Sequence, residues 1–399
     1  MKNNKVIHVS LAFGEKEIKV GRLAAANRLL YFEYDPSFIN RGIEISPFKL
    51  PLKPGVITGP DFFDFLPGVF NDSLPDGWGK LLLDRKLREI GLEPSELTAL
   101  DRLAFVGQNG MGALLYRPEH ETLMPMKDRI DLDKYAANSL YLLKGEPAYL
   151  LDELRQMNGS SQGARPKIMV SVLDNLKKIF SGTNPHEKDF SHWLIKFPNS
   201  TDPSDMAQIE YGYSIMARKA GLFMTETHLF ETKAGNYYFG TRRFDREGGA
   251  RRHVHTACGL LNADFRVPAL DYHDLLSACR VLTRNEKDVE KLFRLAAFNV
   301  LAHNRDDHSK NFAFIMNDEG SWELSPAYDL TFSSGPGGEQ STMVMGEGKA
   351  PGEKHLIELG ERHSLSVSFI RCCIDQVKEG VASWPVIAKQ LGIRTVLHF

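Results

Sequence analysis

The 399-residue chain is too long for one compact core and predicts two or three units, each with its own hydrophobic interior. Its hydrophobic content of 42% and charged content of 25% are ordinary for a globular protein, and a formal net charge of -2 excludes a global basic field for nucleic acid or acidic membranes. The four cysteines lack the CxxC spacing of a metal site. Because no signal core or membrane-length apolar run is present, we expect a cytoplasmic protein with free thiols.

The first unit is predicted to span residues 1–116. Short apolar runs near the start predict strands, and residues 59–90 are helical on either side of Pro67 and Pro75. Residues 117–246 are predicted to form a second unit, a small β-rich lobe with a connector before it. Residues 247–399 are predicted to form a third, mainly helical unit.

A glycine- and serine-rich segment occupies residues 158–167, just before an apolar run. Small residues let backbone N–H groups approach and surround phosphate oxygens, so this segment is a candidate phosphate-binding loop. The alternative is an ordinary flexible loop, and the segment alone does not decide between the two.

Lys196 interrupts a strand-like apolar run at residues 192–197. A lysine inside such a run needs a partner. A kinase uses a lysine of this kind to hold the α- and β-phosphates of ATP, and pairs it with a glutamate on the next helix. The next periodic segment carries Glu210, the candidate partner. The alternative is an edge-strand lysine with its head in solvent.

The strand-like run at residues 237–243 leads into the charged sequence RRFDR at 242–246. Kinases clamp adenine with main-chain groups where a strand leaves the small sheet for the helical lobe. Arg242 and Phe244 therefore mark a predicted hinge. The alternative is a solvated charge run with a local ion pair.

Residues 285–330 carry the strongest functional signal. They begin with a predicted buried helix whose apolar stripe comprises Val289, Leu292, Phe293, Ala296, Val300 and Leu301. The helix runs into a polar stretch at 303–311, followed by two short strands joined by a turn at 317–320. One more carboxylate, Asp329, follows this hairpin. Phosphotransferases arrange their catalytic loop in this order.

The spacing of three side chains matches the chemistry of phosphoryl transfer. That reaction needs a carboxylate to orient and deprotonate the attacking hydroxyl, and hard oxygen ligands for Mg²⁺. In kinases the base and a metal-binding amide lie five positions apart, and a second metal ligand follows a hairpin. Asp306, Asn311 and Asp329 have this order. Each alone would be an ordinary turn or cap residue, but together they predict an active site. His308 is typical of the small-molecule kinase variant of the loop.

The ordered motifs resemble the HipA family of bacterial Ser/Thr protein kinases, the toxins of type II toxin–antitoxin systems. The resemblance covers nearly the whole chain, including FLPGVFNDSLPDGWGKLLLDR at 65–85. Its other motifs are GSSQGARPK at 159–167, HWLIKFP at 192–198, RRFDR at 242–246, NRDDHSKNF at 304–312 and LSPAYDL at 324–330. It implies an α+β fold with a protein-kinase-like bilobal core, a small β-rich lobe and a larger helical lobe, and an extra N-terminal α/β subdomain.

Carried over by position, the resemblance implies a catalytic base at Asp306, Mg²⁺ ligands at Asn311 and Asp329, and an ATP-phosphate lysine at Lys196. It also implies self-inactivation by autophosphorylation of Ser160, with Ser161 as the neighbouring candidate. The wider set of implied ATP-binding residues is Ser161, Gln162, Gly163, Lys167, Arg242, Phe244, His308 and Lys310. Arg165-Pro166 in the loop and Arg242 at the hinge depart from the family's usual pattern, which affects details of nucleotide contact.

The same resemblance implies ATP and Mg²⁺ as cofactors, a translation component such as an aminoacyl-tRNA synthetase as protein substrate, and a small helix-turn-helix antitoxin as partner. DNA would be contacted only through the antitoxin, and no membrane is involved. Three alternatives remain: an aminoglycoside-type small-molecule kinase, a catalytically dead kinase fold that holds an antitoxin and DNA, and a metal nuclease. The nuclease would use His303, Asp306, Asp307 and His308.

Overall fold

The computed structural model describes residues 6–14, 16–27, 29–119, 130–173, 175–176, 178–181, 190–247, 249–268 and 270–399. Within these ranges, no helix combines the length and the apolar character that a bilayer crossing requires. The four cysteines are free thiols, as predicted, and three of them are buried.

The N-terminal subdomain contains a five-stranded antiparallel sheet, in the order β4-β3-β2-β1-β5, and, among its described residues, four α-helices. Its strands are β1 (Val6–Phe13), β2 (Lys16–Ala26), β3 (Leu29–Tyr34), β4 (Val56–Ile57) and β5 (Leu114–Arg117), and its helices are α1 (Pro36–Ile39), α2 (Gly68–Asn71), α3 (Gly77–Glu89) and α4 (Ala99–Val106). The core forms because apolar residues alternate along β1 and β3 and fall on one face of the sheet.

The small lobe contains a second five-stranded sheet, in the order β7-β6-β8-β10-β9, whose neighbours are all antiparallel. Its elements are α5 (Leu132–Lys144), α6 (Leu151–Asn158), β6 (Lys167–Leu173), β7 (Ile179–Ser181), β8 (Phe190–Lys196), α7 (Met206–Lys219), β9 (Thr227–Glu231) and β10 (Tyr237–Arg242). Trp78 and Leu82 of α3 are buried in the core of this lobe, so the N-terminal subdomain packs directly against it.

The helical lobe completes the chain. Its short strands are β11 (Arg246–Glu247), β12 (Ala250–Arg251), β13 (His253–Thr256), β14 (Leu270–Asp271), β15 (Ala313–Met316), β16 (Trp322–Leu324) and β17 (Thr342–Met343). Its helices are α8 (Ala257–Leu261), α9 (Tyr272–Thr283), α10 (Glu286–Leu301), α11 (Glu353–Arg362), α12 (Val367–Ala382) and α13 (Trp384–Gln390). This bilobal arrangement with an added N-terminal subdomain is the predicted fold, and the prediction is confirmed.

Helix α10 and the hairpin after it were both predicted from the sequence. Val289, Leu292, Phe293 and Ala296 are fully buried on one face of α10, and β15 pairs with β16 in antiparallel register. The same core also receives Ile209, Tyr213 and Met216 of α7, a helix that lies between strands of the small sheet in sequence. Helix α7 therefore connects the sheet to the helical lobe.

Candidate active site

Lys196, the last residue of β8, lies between two carboxylates from separate elements. Its Nζ is 3.0 Å from Glu210 Oε1 on α7 and 2.5 Å from Asp329 Oδ1, which follows β16. Burial would lower the pKa of Lys196, but the two carboxylates outweigh it and raise that pKa. Burial would likewise raise the pKa of Asp329, but Lys196 and Lys167 hold it well below its usual range. Lys196 and Asp329 therefore form an ion pair at neutral pH.

Glu210 has a second cationic partner, Arg165, from the glycine- and serine-rich loop. Arg165 Nη1 lies 2.7 Å from Glu210 Oε1, and its Nη2 lies 3.2 Å from Asp202 Oδ1. The planar guanidinium can span two carboxylates in this way, whereas a lysine presents a single ammonium. The arginine that departs from the family pattern thus joins the loop to the start of α7.

The loop between α10 and β15 presents Asp306 to solvent, with its side chain 59% exposed. Partial withdrawal from bulk water raises the pKa of Asp306, His308 opposes that shift, and the negative charge of Asp329 adds to it. His308 Nε2 is 3.9 Å from Asp306 Oδ1. A carboxylate with a raised pKa is a better proton acceptor, which suits a general base.

Asn311 is oriented by the backbone of this loop. Its Nδ2 donates to the Asp306 carbonyl oxygen at 2.6 Å, so its Oδ1 is the amide atom left to bind a cation. The hydroxyl of Tyr328 donates to the Lys310 carbonyl at 2.6 Å and ties the residue before Asp329 to the same loop. Asn311 and Asp329 therefore offer hard oxygen atoms of the kind that Mg²⁺ prefers, and they fit a magnesium site.

Asp307, unlike its neighbour Asp306, is fully buried in the interior. Its carboxylate accepts hydrogen bonds from Tyr272 Oη at 2.6 Å, Gln340 Nε2 at 3.0 Å, and the backbone N–H groups of Ser341 and Thr342. Burial raises the pKa of Asp307 to about 7. This residue anchors the loop of residues 302–312, the candidate catalytic loop, to the segment around β17.

The metal nuclease alternative is not supported by this geometry. Asp307 is engaged in the interior, and His303 Nδ1 donates to the His398 carbonyl oxygen at 3.0 Å. In the part of the chain that the structure describes, no three His, Cys, Asp or Glu side chains converge to hold a metal ion.

The glycine- and serine-rich loop is docked against the N-terminal subdomain. Ser160 is fully buried, and its Oγ accepts a hydrogen bond from the Met111 N–H at 3.0 Å. Ser161 Oγ donates to Asn158 Oδ1 at 2.8 Å, and Gln162 Nε2 donates to the Asp72 carbonyl at 2.9 Å. Neither serine can accept a phosphoryl group in this position, because both hydroxyls are enclosed.

Asp76 connects this loop to the catalytic loop, a role that the sequence did not indicate. Its Oδ1 accepts from the Gly163 N–H at 2.8 Å, and its Oδ2 forms a salt bridge with Lys310. The Trp78 N–H donates to the Gly163 carbonyl at 3.0 Å. An aspartate just before a helix predicts only a local cap, so the contacts of Asp76 needed the structure.

Two buried lysines, Lys167 and Lys310, and the partly buried Lys196 enter this region from different elements. Lys167 Nζ donates to the Gln162 carbonyl, and burial lowers the pKa of Lys167 to about 8. Lys310 Nζ lies 4.2 Å from the centre of the Phe265 ring. With Lys196, these side chains bring several ammonium groups to the region between the two loops, where they could bind phosphate oxygens.

The two predicted hinge residues, Arg242 and Phe244, differ in exposure. Arg242 is exposed, with Nη1 3.9 Å from Glu226 Oε2, while Phe244 is half-buried with its ring 5.6 Å from that of Tyr328. The alternative interpretation of residues 242–246 was a solvated charge run. It is wrong for Arg243, Asp245 and Arg246, which are buried. Asp245 is buried and accepts from Arg243, Arg246 and the Gly112 N–H, which fastens the hinge to the N-terminal subdomain.

A β-rich lobe and a helical lobe, with a Lys–Glu–Asp cluster beside an exposed loop carboxylate, define a kinase-like class of fold. Residues 159–384 match the HipA-like C-terminal domain, and residues 15–117 match the HipA N-terminal domain. Because the first match alone spans more than half of the sequence, the chain belongs to the HipA family.

Two curated relatives come from Sinorhizobium fredii. The chain is 25% identical to the putative kinase Y4dM over 279 residues, which cover 66% of this chain and 62% of the relative. It is 25% identical to the putative kinase Y4mE over 281 residues, which cover 65% of this chain and 63% of that relative. The match thus spans less than two thirds of the length of either relative.

A solved structure shares the fold across nearly the full length. It is HipA of Shewanella oneidensis MR-1, in a complex with HipB and its operator DNA. The TM-score is 0.68 at 17% sequence identity, and the match covers 98% of this chain and 92% of that one.

Proposed function

We propose that this protein is an ATP- and Mg²⁺-dependent Ser/Thr protein kinase, a HipA-like toxin that acts on a translation component in the cytoplasm. The observation that carries the proposal is the position of Lys196, which bridges Glu210 and Asp329 beside the loop of Asp306. A kinase needs this lysine–glutamate pair and the metal-binding aspartate in place at the same time. The two putative kinases among the relatives support the same reaction class.

Each residue has a distinct task in the proposed reaction. Lys196, held by Glu210, contacts the phosphates of ATP, and Lys167 and Lys310 add positive charge around them. Asp306 accepts the proton of the attacking serine or threonine hydroxyl. Asn311 and Asp329 would hold Mg²⁺, which would supply positive charge to neutralise the phosphates during phosphoryl transfer. The Gln162 carbonyl oxygen accepts a hydrogen bond from Lys167 Nζ, which ties this lysine to the glycine- and serine-rich loop.

The decisive test compares Asp306→Asn with wild type in transfer of labelled phosphate from ATP to protein. Loss of a general base lowers the rate by about 10²–10⁴-fold. Asp318→Asn, an exposed aspartate in the β15–β16 turn, is the control and keeps the wild-type rate. Undiminished incorporation by Asp306→Asn would remove this residue from the mechanism. Absence of any Mg-ATP binding by wild type in a thermal-shift assay would favour a non-catalytic binding module.

We further propose that autophosphorylation of Ser160 or Ser161 silences the enzyme by displacing the loop. Both hydroxyls are buried against the N-terminal subdomain, so phosphorylated protein cannot keep the loop in its present position. Mass spectrometry after incubation with ATP should find phosphate on one of these serines. Phosphate on neither would overturn the silencing hypothesis.

The proposed partners follow the family. A small helix-turn-helix antitoxin, through which DNA is contacted, is supported by the complex of HipA with HipB and operator DNA in Shewanella oneidensis. An aminoacyl-tRNA synthetase is the proposed kind of protein substrate. A short helix-turn-helix reading frame beside the gene, followed by co-purification of its product, would test the first partner.

One observation favours a second candidate, a small-molecule kinase of the aminoglycoside type. His308 stands two residues after Asp306, and its buried Nδ1 has no hydrogen-bond partner among the described residues. A bound acceptor could supply that partner. Parallel phosphorylation assays with a protein panel and an aminoglycoside panel separate the two candidates.

A further inference from the structure

The last residues of the sequence are bound to the start of helix α7. Asp205 precedes α7, but its side chain does not cap that helix. Its buried carboxylate instead accepts from the Arg394 N–H at 2.7 Å, the Thr395 N–H at 2.9 Å and Thr395 Oγ at 2.6 Å. Three donors on one buried carboxylate make a strong and specific attachment.

Residues 394–399 also contact the catalytic loop. His303, three residues before Asp306, donates from Nδ1 to the His398 carbonyl oxygen at 3.0 Å. His303 has a φ of +48°, a conformation that a non-glycine residue keeps only when its surroundings hold it. The His398 carbonyl is one of the groups that hold it.

The ring of Phe399, a residue that is 41% exposed, packs against aromatic side chains from three segments. Its ring centre lies 6.4 Å from Tyr213 on α7, 6.2 Å from His303 and 6.3 Å from Phe332. Tyr213 follows Glu210 by three residues, and Phe332 follows Asp329 by three. The ring of Phe399 therefore contacts α7, the catalytic loop and the segment after Asp329, which carry Glu210, Asp306 and Asp329.

We infer that residues 394–399 form a latch that holds α7, the catalytic loop and the segment after Asp329 in the arrangement needed for phosphoryl transfer. Thr395 and Phe399 are its positioning residues, and they act through Glu210, Asp306 and Asp329 without touching substrate. The inference rests on the proposed kinase function. Its physical basis is that Lys196 meets Glu210 at 3.0 Å only while α7 stays in place.

The test uses the full chain with Thr395→Val, which removes one hydrogen bond at nearly constant volume, and Phe399→Ala, which removes the ring. Val396→Ala is the matched control, because Val396 is 72% exposed and lies between the two. Hydrogen exchange without nucleotide, melting temperature, and kcat and KM for ATP are measured for each protein.

Thr395→Val should raise the KM for ATP about five- to tenfold, since it loosens the helix that carries Glu210. Phe399→Ala should lower kcat by a similar factor, since it loosens the catalytic loop. Both should speed exchange at residues 205–213 or 303–309, and Val396→Ala should do neither. Exchange that changes only at 394–399, or kinetic constants equal to wild type at a lowered melting temperature, would overturn the latch. If wild type transfers no phosphate, the proposed function fails, and the exchange data alone still decide the latch.

Discussion

The carboxylate of Asp76, at the start of α3 in the N-terminal subdomain, forms a salt bridge with Lys310 in the catalytic loop. The other oxygen of Asp76 accepts the Gly163 N–H from the glycine- and serine-rich loop. One side chain thus joins the N-terminal subdomain to both loops of the proposed ATP site. The subdomain is part of the site's support, and its sequence should influence the catalytic region.

Asp76→Asn tests this connection. The amide can still accept the Gly163 N–H, but Lys310, which is almost fully buried, loses its counter-charge. We expect the free energy of unfolding to fall by about 1–3 kcal/mol and hydrogen exchange to accelerate at residues 159–165. Urea unfolding and exchange mass spectrometry measure the two effects. Asp318→Asn is the control, and an unchanged unfolding free energy for Asp76→Asn would contradict the prediction.

Gly159→Ala should push the loop off the N-terminal subdomain. Gly159 has a φ of +54°, and an added Cβ would lie far inside the contact distance of the Asn109 carbonyl oxygen. A backbone carbonyl cannot rotate away as a side-chain end can, so the loop must shift and the Ser160 to Met111 hydrogen bond is lost. We expect a loss of about 1–3 kcal/mol from overpacking and weaker Mg-ATP binding.

Gly235→Ala provides the matched control for that variant. Gly235 also has a positive φ, +81°, but an added Cβ there would meet nothing within 4 Å. The two variants therefore share backbone strain and differ in the steric clash. Equal losses of stability and equal ATP affinities would show that the docking of the loop at Gly159 is unimportant.

The elements around the proposed site could be predicted because their signals are local. The apolar stripe of α10, the turn between β15 and β16, and the carboxylate after them all lie within residues 285–330. Lys196 and Glu210 are 3.0 Å apart because a strand and the next helix carry them, and adjacent elements usually pack together.

The contacts that could not be predicted depend on distant parts of the chain. Asp76 and Lys310 are 234 positions apart, and neither local sequence indicates the other. The charged run at 242–246 has the composition of a solvated segment, yet Asp245 is buried among arginines and backbone N–H groups. Composition does not tell a buried ion network from an exposed one, because the difference lies in what packs over it.

The pH dependence of ATP binding should report the state of Lys167. Burial lowers the pKa of this lysine to about 8, from an ordinary value of 10.5. Its charged form is lost as pH rises through about 8, so the affinity for Mg-ATP should fall there. The effect on the free energy of unfolding has the opposite sign. In the unfolded chain Lys167 keeps its proton up to about pH 10.5, so at low pH the folded state carries the cost of a buried charge. Raising the pH through about 8 removes that cost and increases the free energy of unfolding.

Titration of wild type with Mg-ATP between about pH 7 and pH 9.5 measures this dependence. Lys167→Arg stays charged over the whole range and should show no loss of affinity near pH 8. A dissociation constant for wild type that does not change across this range would mean that Lys167 does not contact the phosphates in its charged form.

Arg165 should help to position Glu210 for its hydrogen bond with Lys196. Its guanidinium contacts both Glu210 and Asp202, and so holds the loop against the start of α7. Arg165→Gln should raise the KM for ATP about five- to tenfold through loss of charge-assisted hydrogen bonds. Arg165→Lys keeps the charge but cannot span both carboxylates, so its KM for ATP should fall between those of Arg165→Gln and wild type.

Arg22→Gln is the control, because Arg22 pairs with Glu33 on an exposed surface where an ion pair contributes little. If Arg165→Gln and Arg22→Gln have the same KM, Lys196 alone orients Glu210, and the departure of this loop from the family pattern has no effect on catalysis.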